Sequence, residues 1–320
     1  MKLAVLGTGM IVQEALPVLQ EMADVSLEAI LSTPRSLAKA NKLAKQYAIA
    51  KATSDYHDIL TDSQVDTVYI ALPNHLHFEM AKKALLAHKH VICEKPFTMT
   101  LAELEELAAL AKQTSCILVE AITNQHLANY HWIKEHLAEI GTVKIVECNY
   151  SQYSSRYDAF KAGQIAPAFD ASKGGGALRD LNSYNIHFVV GLFGAPTTVS
   201  YLPNMEKGVD TSGILLLTYP DFKVVCIAAK DCSAPIRSTI QGDKGAIVVD
   251  GATNTLPAIN FYPNKQAQQT INQNPDEHRM AAEFRYFAQL IAKKDTAGAQ
   301  ALLEHSKQVM AVLDAASQAL

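Results

Sequence analysis

The sequence predicts an α/β protein of two domains: an open, doubly wound parallel sheet over residues 1–121, and an α+β domain with a mostly antiparallel, open-faced sheet over residues 122–320. Up to residue 121, short apolar runs alternate with amphipathic segments, which is the pattern of parallel strands covered by helices on both faces. Beyond it, alternating segments separated by turn residues indicate antiparallel strands. A length of 320 residues is enough for two cores.

Five apolar runs are the predicted strands of the first domain. They are Leu3–Leu6, Ser26–Leu31, Thr67–Ala71, Val91–Cys93 and Ile117–Val119. The clearest helix between them spans Leu101–Lys112, because Thr100 and Glu103 form a capping box ahead of apolar residues at helical spacing.

The second domain has predicted strands of a different character, joined by turn residues such as Tyr219-Pro220-Asp221-Phe222 and Gly242-Asp243-Lys244-Gly245. The strands are Val143–Tyr153, Gly213–Tyr219, Val224–Ala229, Arg237–Ile240 and Ala246–Val249. The polar stretch Gly251–Pro275 is expected to be a loop. Helices around Asp276–Lys293 and Ala299–Ser317 close the chain, and the last could pack back on the first domain.

The composition excludes several classes of partner. With 28 Lys+Arg against 32 Asp+Glu the formal charge is -4, so the chain lacks the basic surface that nucleic acids require. Five cysteines without a CxxC pair are typical of reduced thiols in a cytoplasm. No apolar run approaches the ~18 residues that span a membrane, and glycines interrupt the apolar N-terminus. We expect a cytoplasmic protein with neither a nucleic-acid nor a membrane partner.

A glycine turn follows the first predicted strand: Gly7-Thr8-Gly9-Met10-Ile11 leads directly into an amphipathic segment. Glycines let the backbone approach a pyrophosphate, whose charge then lies on the N–H groups at the helix N-terminus. This order is typical of a Rossmann domain that binds a nicotinamide dinucleotide. Val12 replaces the third glycine of the fingerprint, so an ordinary βα turn is the alternative.

The residues after the second strand bear on which dinucleotide is bound. An NAD-binding domain usually has Asp or Glu here for the ribose hydroxyls, whereas this chain has Ser32-Thr33-Pro34-Arg35-Ser36. Small hydroxyls and one guanidinium suit a 2′-phosphate. We expect NADP as cofactor, with NAD still possible, and the alternative is that Arg35 is only a solvated helix residue.

Three motifs farther along the chain are more specific. Leu72-Pro73-Asn74-His75-Leu76-His77 follows one predicted strand, Glu94-Lys95-Pro96 ends the next, and a glycine-rich block runs over Gly174–His187. Together they resemble the glucose-fructose oxidoreductase and inositol dehydrogenase family, often written Gfo/Idh/MocA. Glu120-Ala121-Ile122 and Tyr184 are most similar to its dimeric dihydrodiol and D-xylose dehydrogenase branch.

The resemblance implies an NAD(P)-dependent oxidoreductase that transfers hydride between nicotinamide and a sugar, polyol or vicinal diol. It places Lys95 and Tyr184 near the reacting hydroxyl, and Asp180 and His187 of the same glycine-rich block are the other candidate catalytic residues. The predicted cofactor contacts fall on residues that follow four predicted strands. These cofactor residues are Gly7, Thr8, Gly9, Met10, Ile11, Ser32, Thr33, Arg35, Leu72, Pro73, Asn74, His77, Glu94 and Lys95.

Elementary chemistry agrees with these roles. Pro96 holds Lys95 in an extended conformation at the carboxyl end of a strand, where ligands bind in open α/β sheets. The phenol of Tyr184 has an unperturbed pKa near ~10 and needs a nearby cation to accept a proton at neutral pH. Asp180 lies about one helical turn before Tyr184 and could orient Lys95 or the substrate.

Each of these side chains also has a purely structural interpretation. The alternatives are an ion pair of Lys95 with Glu94, an interface aromatic at Tyr184, a core imidazole at His187, and a helix-surface position for His77. No metal site is expected, because no Asp, Glu or Cys at suitable spacing completes a ligand set with the His-x-His pairs.

Two positions depart from the family pattern. Asn182 stands in place of a glycine, although Asn tolerates left-handed dihedrals. Thr123-Asn124-Gln125-His126 replaces an aromatic residue and an Arg-Phe pair, so we expect an altered substrate pocket.

Other functions remain open on the same scaffold. An NAD-dependent glycosidase would oxidise its sugar transiently, and a nucleotide-sensing regulator would bind the cofactor without turnover. The open-faced sheet of the second domain leaves an apolar face that needs cover, which predicts a homodimer or a higher homo-oligomer.

Overall fold

Strands and helices alternate along the first third of the chain. The strands are β1 (Lys2–Leu6), β2 (Ser26–Leu31), β3 (Lys51–Thr53), β4 (Thr67–Ile70), β5 (His90–Glu94) and β6 (Leu118–Ala121). The helices are α1 (Met10–Glu21), α2 (Leu37–Gln46), α3 (His57–Leu60), α4 (His77–Leu86) and α5 (Leu101–Thr114).

The remainder of the chain is rich in strands and ends in two helices. The helices are α6 (Ala128–His136), α7 (Tyr157–Lys161), α8 (Ser183–Phe193), α9 (Ala281–Lys293) and α10 (Thr296–Ser317). The strands are β7 (Val143–Ser151), β8 (Thr198–Glu206), β9 (Val209–Thr218), β10 (Lys223–Ala229), β11 (Arg237–Gly242), β12 (Gly245–Asp250), β13 (Ile259–Pro263) and β14 (Gln269–Ile271).

The computed structural model describes residues 1–320 as two compact units. Met1–Ala121 and Met280–Lys307 form the first unit, and Ile122–Arg279 and Gln308–Leu320 form the second. The predicted division into 1–121 and 122–320 differs from this one in residues 280–307. They belong to the first unit because apolar side chains of α9, Phe284, Phe287 and Leu290 among them, pack into its core.

The sheet of the first unit is parallel throughout, in the order β3-β2-β1-β4-β5-β6. Chain order reverses between β1 and its neighbour β4, so the predicted doubly wound fold is confirmed. In such sheets the crevice for a ligand opens at the carboxyl ends of the strands on either side of this switch point.

The second unit contains an eight-stranded sheet in the order β14-β13-β12-β11-β7-β10-β9-β8. All neighbours pair antiparallel except β7 and β10, which are parallel, so the prediction of a mostly antiparallel sheet is confirmed. The prediction of a loop over Gly251–Pro275 is wrong, because β13 and β14 lie within it. β8 was also not predicted, since Pro203 and polar residues interrupt its pattern.

One face of this sheet carries exposed apolar side chains. Leu202 of β8 pairs in register with Ile214 of β9, and Leu216 and Ile145 are also more than 40% exposed. A contiguous row of exposed apolar side chains is unusual on the surface of a monomeric protein. Among the helices, none is long and apolar enough to cross a membrane.

Candidate active site

The glycine turn between β1 and α1 has the shape that a dinucleotide needs. Gly7 has φ +120°, and a Cβ there would lie 2.4 Å from the carbonyl oxygen of Ala71, so no other residue fits. Gly9 is the N-cap of α1 without a side-chain cap, and a Cβ on it would meet nothing within 4 Å. Open space thus faces the first N–H groups of α1, and Met10 is 64% exposed beside it. These features fit a bound pyrophosphate.

The end of β2 presents hydroxyls and no carboxylate. Ser32 is buried and its Oγ donates to the carbonyl of Thr33, whose own Oγ1 donates to Ser36. A short 3₁₀ turn, Pro34–Ser36, carries Arg35 with an exposed side chain. These residues therefore fit the ribose 2′-phosphate of NADP better than the free ribose hydroxyls that NAD has in its place.

His77 ties together two of the loops that were predicted to hold the cofactor. Its side chain is fully buried, so the helix-surface alternative is wrong. Nε2 lies 2.9 Å from the carbonyl oxygen of Leu72, and Nδ1 lies 3.0 Å from that of Pro96. Burial lowers the pKa of the imidazole, although the carbonyls partly oppose this. His77 thus holds the loop after β4 against the loop after β5.

Glu94 fixes the backbone at the end of β5, directly before Lys95. Its buried carboxylate accepts the hydroxyl of Tyr69 at 2.5 Å and the backbone N–H of Lys95 at 3.3 Å. Lys95 precedes a cis peptide bond to Pro96 and is itself partly exposed. The glycine turn therefore follows β1, the Leu72 loop follows β4, and Lys95 follows β5. These three strands are adjacent, so all three segments lie at the same edge of the sheet.

In the second unit the remaining predicted residues lie on a continuous helical segment. A π-helical turn, Leu178–Asn182, carries Asp180 and runs directly into α8, which carries Tyr184 and His187. Asp180 and Tyr184 are therefore about one turn apart on this segment, with the wider π turn at its start. Tyr184 is 8% exposed and packs with Ile122 and Tyr150. His187 is fully buried.

Lys230 is a buried partner of Asp180 that the sequence alone did not reveal. It follows β10, its side chain is 3% exposed, and its Nζ lies 2.9 Å from Oδ2 of Asp180. The expectation that Asp180 orients Lys95 or the substrate did not include this partner. The available signal was a lysine that directly ends a predicted apolar strand, Val224–Ala229.

The segment that departs from the family pattern supports α8. Asn124 is fully buried and donates to the carbonyl of Tyr184 at 2.9 Å, and Gln125 donates to that of His187 at 3.0 Å. We expected these residues to alter a substrate pocket, but their amides bind the backbone of the helix. They hold α8, the helix that carries Tyr184 and His187.

Asn182 has a different role from the glycine whose place it takes. Its dihedrals, φ −70° and ψ −21°, are right-handed helical, so left-handed tolerance is not needed. Its amide donates to the carbonyl of Cys226 at 3.3 Å, and Asn185 donates both to Asn182 and to the carbonyl of Ile227. These bonds attach the start of α8 to β10.

The glycine-rich block is shaped by a buried acid. Asp210 accepts the backbone N–H of Leu178 and the hydroxyl of Tyr201, both at 2.7 Å. Gly176 has φ +116°, and a Cβ on it would lie 1.9 Å from Oδ1 of Asp210. Burial raises the pKa of this carboxyl. The block thus turns tightly around Asp210 before the π turn begins.

Both halves of the chain match models of one protein family. Residues 1–122 match the model described as "Oxidoreductase family, NAD-binding Rossmann fold", GFO_IDH_MocA, and residues 130–248 match the GFO/IDH/MocA C-terminal domain.

Named relatives share most of the chain's length. The scyllo-inositol 2-dehydrogenase (NADP(+)) IolU of Bacillus subtilis is 38% identical over 252 residues, which are 78% of this chain and 76% of the relative. A trans-1,2-dihydrobenzene-1,2-diol dehydrogenase of Xenopus tropicalis is 27% identical over 254 residues, 78% of this chain and 74% of the relative.

A solved structure of the 3-ketoreductase KijD10 from Actinomadura kijaniata, with NADP and TDP-benzene, superposes with a TM-score of 0.87 at 23% identity. The match covers 99% of this chain and 96% of that one. At this level of identity the superposition concerns the fold.

Proposed function

Because this chain belongs to the Gfo/Idh/MocA family of oxidoreductases, we propose that it transfers hydride between NADP and a carbinol carbon of a polyol, sugar or vicinal diol. The predicted family and the predicted enzyme class, an oxidoreductase acting on CH–OH groups, are confirmed. The observation that carries the proposal concerns one edge of the first sheet. There the glycine turn, the Leu72 loop and Lys95 each follow one of three adjacent strands.

Several residues of the first unit would hold the cofactor. Backbone N–H groups of Gly7-Thr8-Gly9-Met10-Ile11 would bind its pyrophosphate, and Ser32, Thr33 and Arg35 its 2′-phosphate. Leu72-Pro73-Asn74 and Glu94-Lys95 would border the nicotinamide end. His77 would hold these two loops in place through its contacts with the carbonyls of Leu72 and Pro96. When bound, NADP supplies the carbon that accepts or donates the hydride. The name of the inositol dehydrogenase relative specifies this cofactor.

Tyr184 and Lys95 are proposed to handle the hydroxyl proton. A phenol becomes a base at neutral pH only beside a positive charge, which the ammonium of Lys95 would provide. During oxidation the substrate hydroxyl would pass its proton to Tyr184 as hydride leaves the same carbon. Asp180 would accept a hydrogen bond from the substrate, and the full burial of His187 favours a core imidazole over a substrate contact.

The experiment that tests this function is a substrate panel of inositols, aldoses and vicinal diols with NADP, followed by the absorbance of reduced nicotinamide. Net formation of NADPH with at least one polyol supports the proposal. Hydrolysis of a glycoside without net NADPH formation would favour the glycosidase. Tight NADPH binding without turnover on the whole panel would favour a nucleotide-sensing regulator.

We further propose that the chain forms a homodimer through the open face of its second sheet. Leu202, Ile214 and Leu216 form an apolar patch on β8 and β9 that a second copy would cover. Replacing Leu216 by Lys should convert the dimer to a monomer in sedimentation velocity. A wild-type protein that sediments as a monomer would contradict the proposal.

A further inference from the structure

The buried lysine at the end of β10 adds a residue to the proposed site. We propose that Lys230 is a positioning residue, which fixes the carboxylate of Asp180 beside the reacting hydroxyl. The inference rests on the proposed function, because the position of Asp180 matters to turnover only if a substrate reacts there. With 3% of its side chain exposed, Lys230 acts through Asp180 and not on the substrate.

Four contacts fix the orientation of Lys230. Its ammonium lies 2.9 Å from Oδ2 of Asp180, donates to the carbonyl of Ala168, and lies 4.2 Å from the ring centre of Phe169. Its backbone N–H donates to the carbonyl of Thr211 at 2.8 Å, which extends the pairing of β10 with β9 by one residue. The strand pairing, the carbonyl of Ala168 and the ring of Phe169 therefore orient the ammonium toward Asp180.

Asp180 is the carboxylate that neutralises this buried charge. Removing an ammonium from water costs several kcal/mol unless a counter-charge is close, and a carbonyl or a ring only reduces that cost. Two other acids lie near Lys230, but both have other donors. Asp210 accepts from Leu178 and Tyr201, and Oδ2 of Asp231 accepts the hydroxyls of Thr211 and Ser212.

The position of Asp180 gives this ion pair its functional meaning. Asp180 lies on the π turn directly before the helix that carries Tyr184, and 37% of its side chain remains exposed. Lys230 thus holds Oδ2 of Asp180 from the protein interior, while part of the same carboxylate remains exposed to solvent. A carboxylate fixed in this way can accept a hydrogen bond from a hydroxyl without first losing rotational freedom.

The first test replaces Lys230 by Met and by Arg and measures turnover against pH. K230M should lower kcat about 10²-fold, as displacement of a catalytic group by an ångström does, and leave the Kd for NADPH unchanged. The acid limb of its kcat profile should move up by about 1 pH unit or more, because an isolated carboxylate protonates more readily. K230R, which keeps the charge, should recover most of the activity.

Lys207 provides a matched control in the same unit. Its ammonium also donates to two backbone carbonyls, those of Phe160 and Lys161, and lies 5.1 Å from the ring centre of Phe160. It has no carboxylate partner. K207M should therefore keep the wild-type kcat and pH profile.

A double-mutant cycle separates positioning from a general loss of structure. In the Asp180→Asn background K230M should cause no further fall in kcat, since its effect passes through Asp180. A further loss of tenfold or more in that background would overturn the inference, as would a K230M enzyme with wild-type rate and pH profile. If K230M alone does not fold, the comparison of D180N with D180N/K230M still decides, because neither charge remains in the double variant. A wild-type protein inactive on every polyol would instead contradict the proposed function.

Discussion

The two units support their parts of the site in different ways. In the first, Lys95 and the glycine turn lie on loops at strand ends and are held by groups close to them in the sequence: the ring nitrogens of His77 lie against the carbonyls of Leu72 and Pro96, and Gly7 allows a dihedral angle closed to other residues. In the second, Tyr184 lies on a helix that is held by hydrogen bonds to distant segments: Asn124 donates to the carbonyl of Tyr184, and Asn185 of the helix donates to the carbonyl of Ile227.

This difference decides how easily each part can be recognised. A loop built on backbone geometry needs particular residues within a few positions of one another, so it leaves a short motif. A helix held by side chains depends on partners far away in the sequence. Asn124 lies 60 residues from Tyr184, and no local pattern joins them.

The sharpest test of the comparison is Lys95→Ala. If the first unit binds the cofactor through backbone groups, this change should leave the Kd for NADPH nearly unchanged while kcat falls about 10³-fold. Fluorescence titration and steady-state kinetics measure the two effects. Tyr184→Phe should show the same split, because its ring still packs with Ile122 and Tyr150. An unimpaired kcat in K95A would refute the role of Lys95.

Gly176→Ala tests backbone geometry in the second unit. The new Cβ would meet Asp210 and would lie at φ +116°, so we expect a loss of about 3 kcal/mol in the free energy of unfolding. Gly163→Ala is the control, since φ is +91° there but nothing lies within 4 Å, and we expect about 1 kcal/mol. Urea denaturation measures both. Equal losses would show that Asp210 does not constrain the block.

Acid should destabilise both units through one buried histidine in each. Burial lowers the pKa of His77. Burial, and to a smaller extent repulsion from His131, lowers the pKa of His126 to about 3. Each therefore binds a proton less readily in the folded protein than in the unfolded chain, where the pKa is ~6.5. Their stabilising contribution is complete above that pH and falls as pH decreases toward the lowered folded pKa, by at most about 1.4 kcal/mol per pH unit for each group.

Urea denaturation between pH 7 and pH 4 measures this slope. His126→Gln should reduce the slope of the second unit and leave that of the first unchanged, if the two unfold in separate transitions. A variant with the wild-type slope would mean that His126 is already protonated in the folded protein.

Arg35→Ala should produce the smallest effect, because the side chain is exposed. Loss of one charge-assisted contact should weaken NADPH binding about tenfold and leave NADH binding unchanged. Isothermal titration with both cofactors measures the difference. At least equal affinity of the wild type for NADH would contradict the proposed preference for NADP.

Much of the fold could be predicted because periodicity is a local property. β2 spans Ser26–Leu31 as its apolar run indicates, and α5 begins at Leu101, directly after Thr100, which forms the capping box with Glu103. β13 and β14 could not be found in this way. Both are short strands in a polar stretch, β14 at the edge of the sheet and β13 next to it, and the neighbouring strands determine their conformation more than their own pattern does.

The sequence by itself predicted the parallel sheet and the glycine turn and singled out Lys95, Asp180 and Tyr184 as candidate site residues, because each belongs to a motif whose residues are close along the chain. Only the tertiary structure decided what holds them. Burial brings Lys230 to Asp180 across 50 positions and leaves a charge that must be neutralised, and it places the amide of Asn124 on a helix carbonyl. Such partners are chosen by packing and by the cost of burying polar groups, which no short stretch of sequence records.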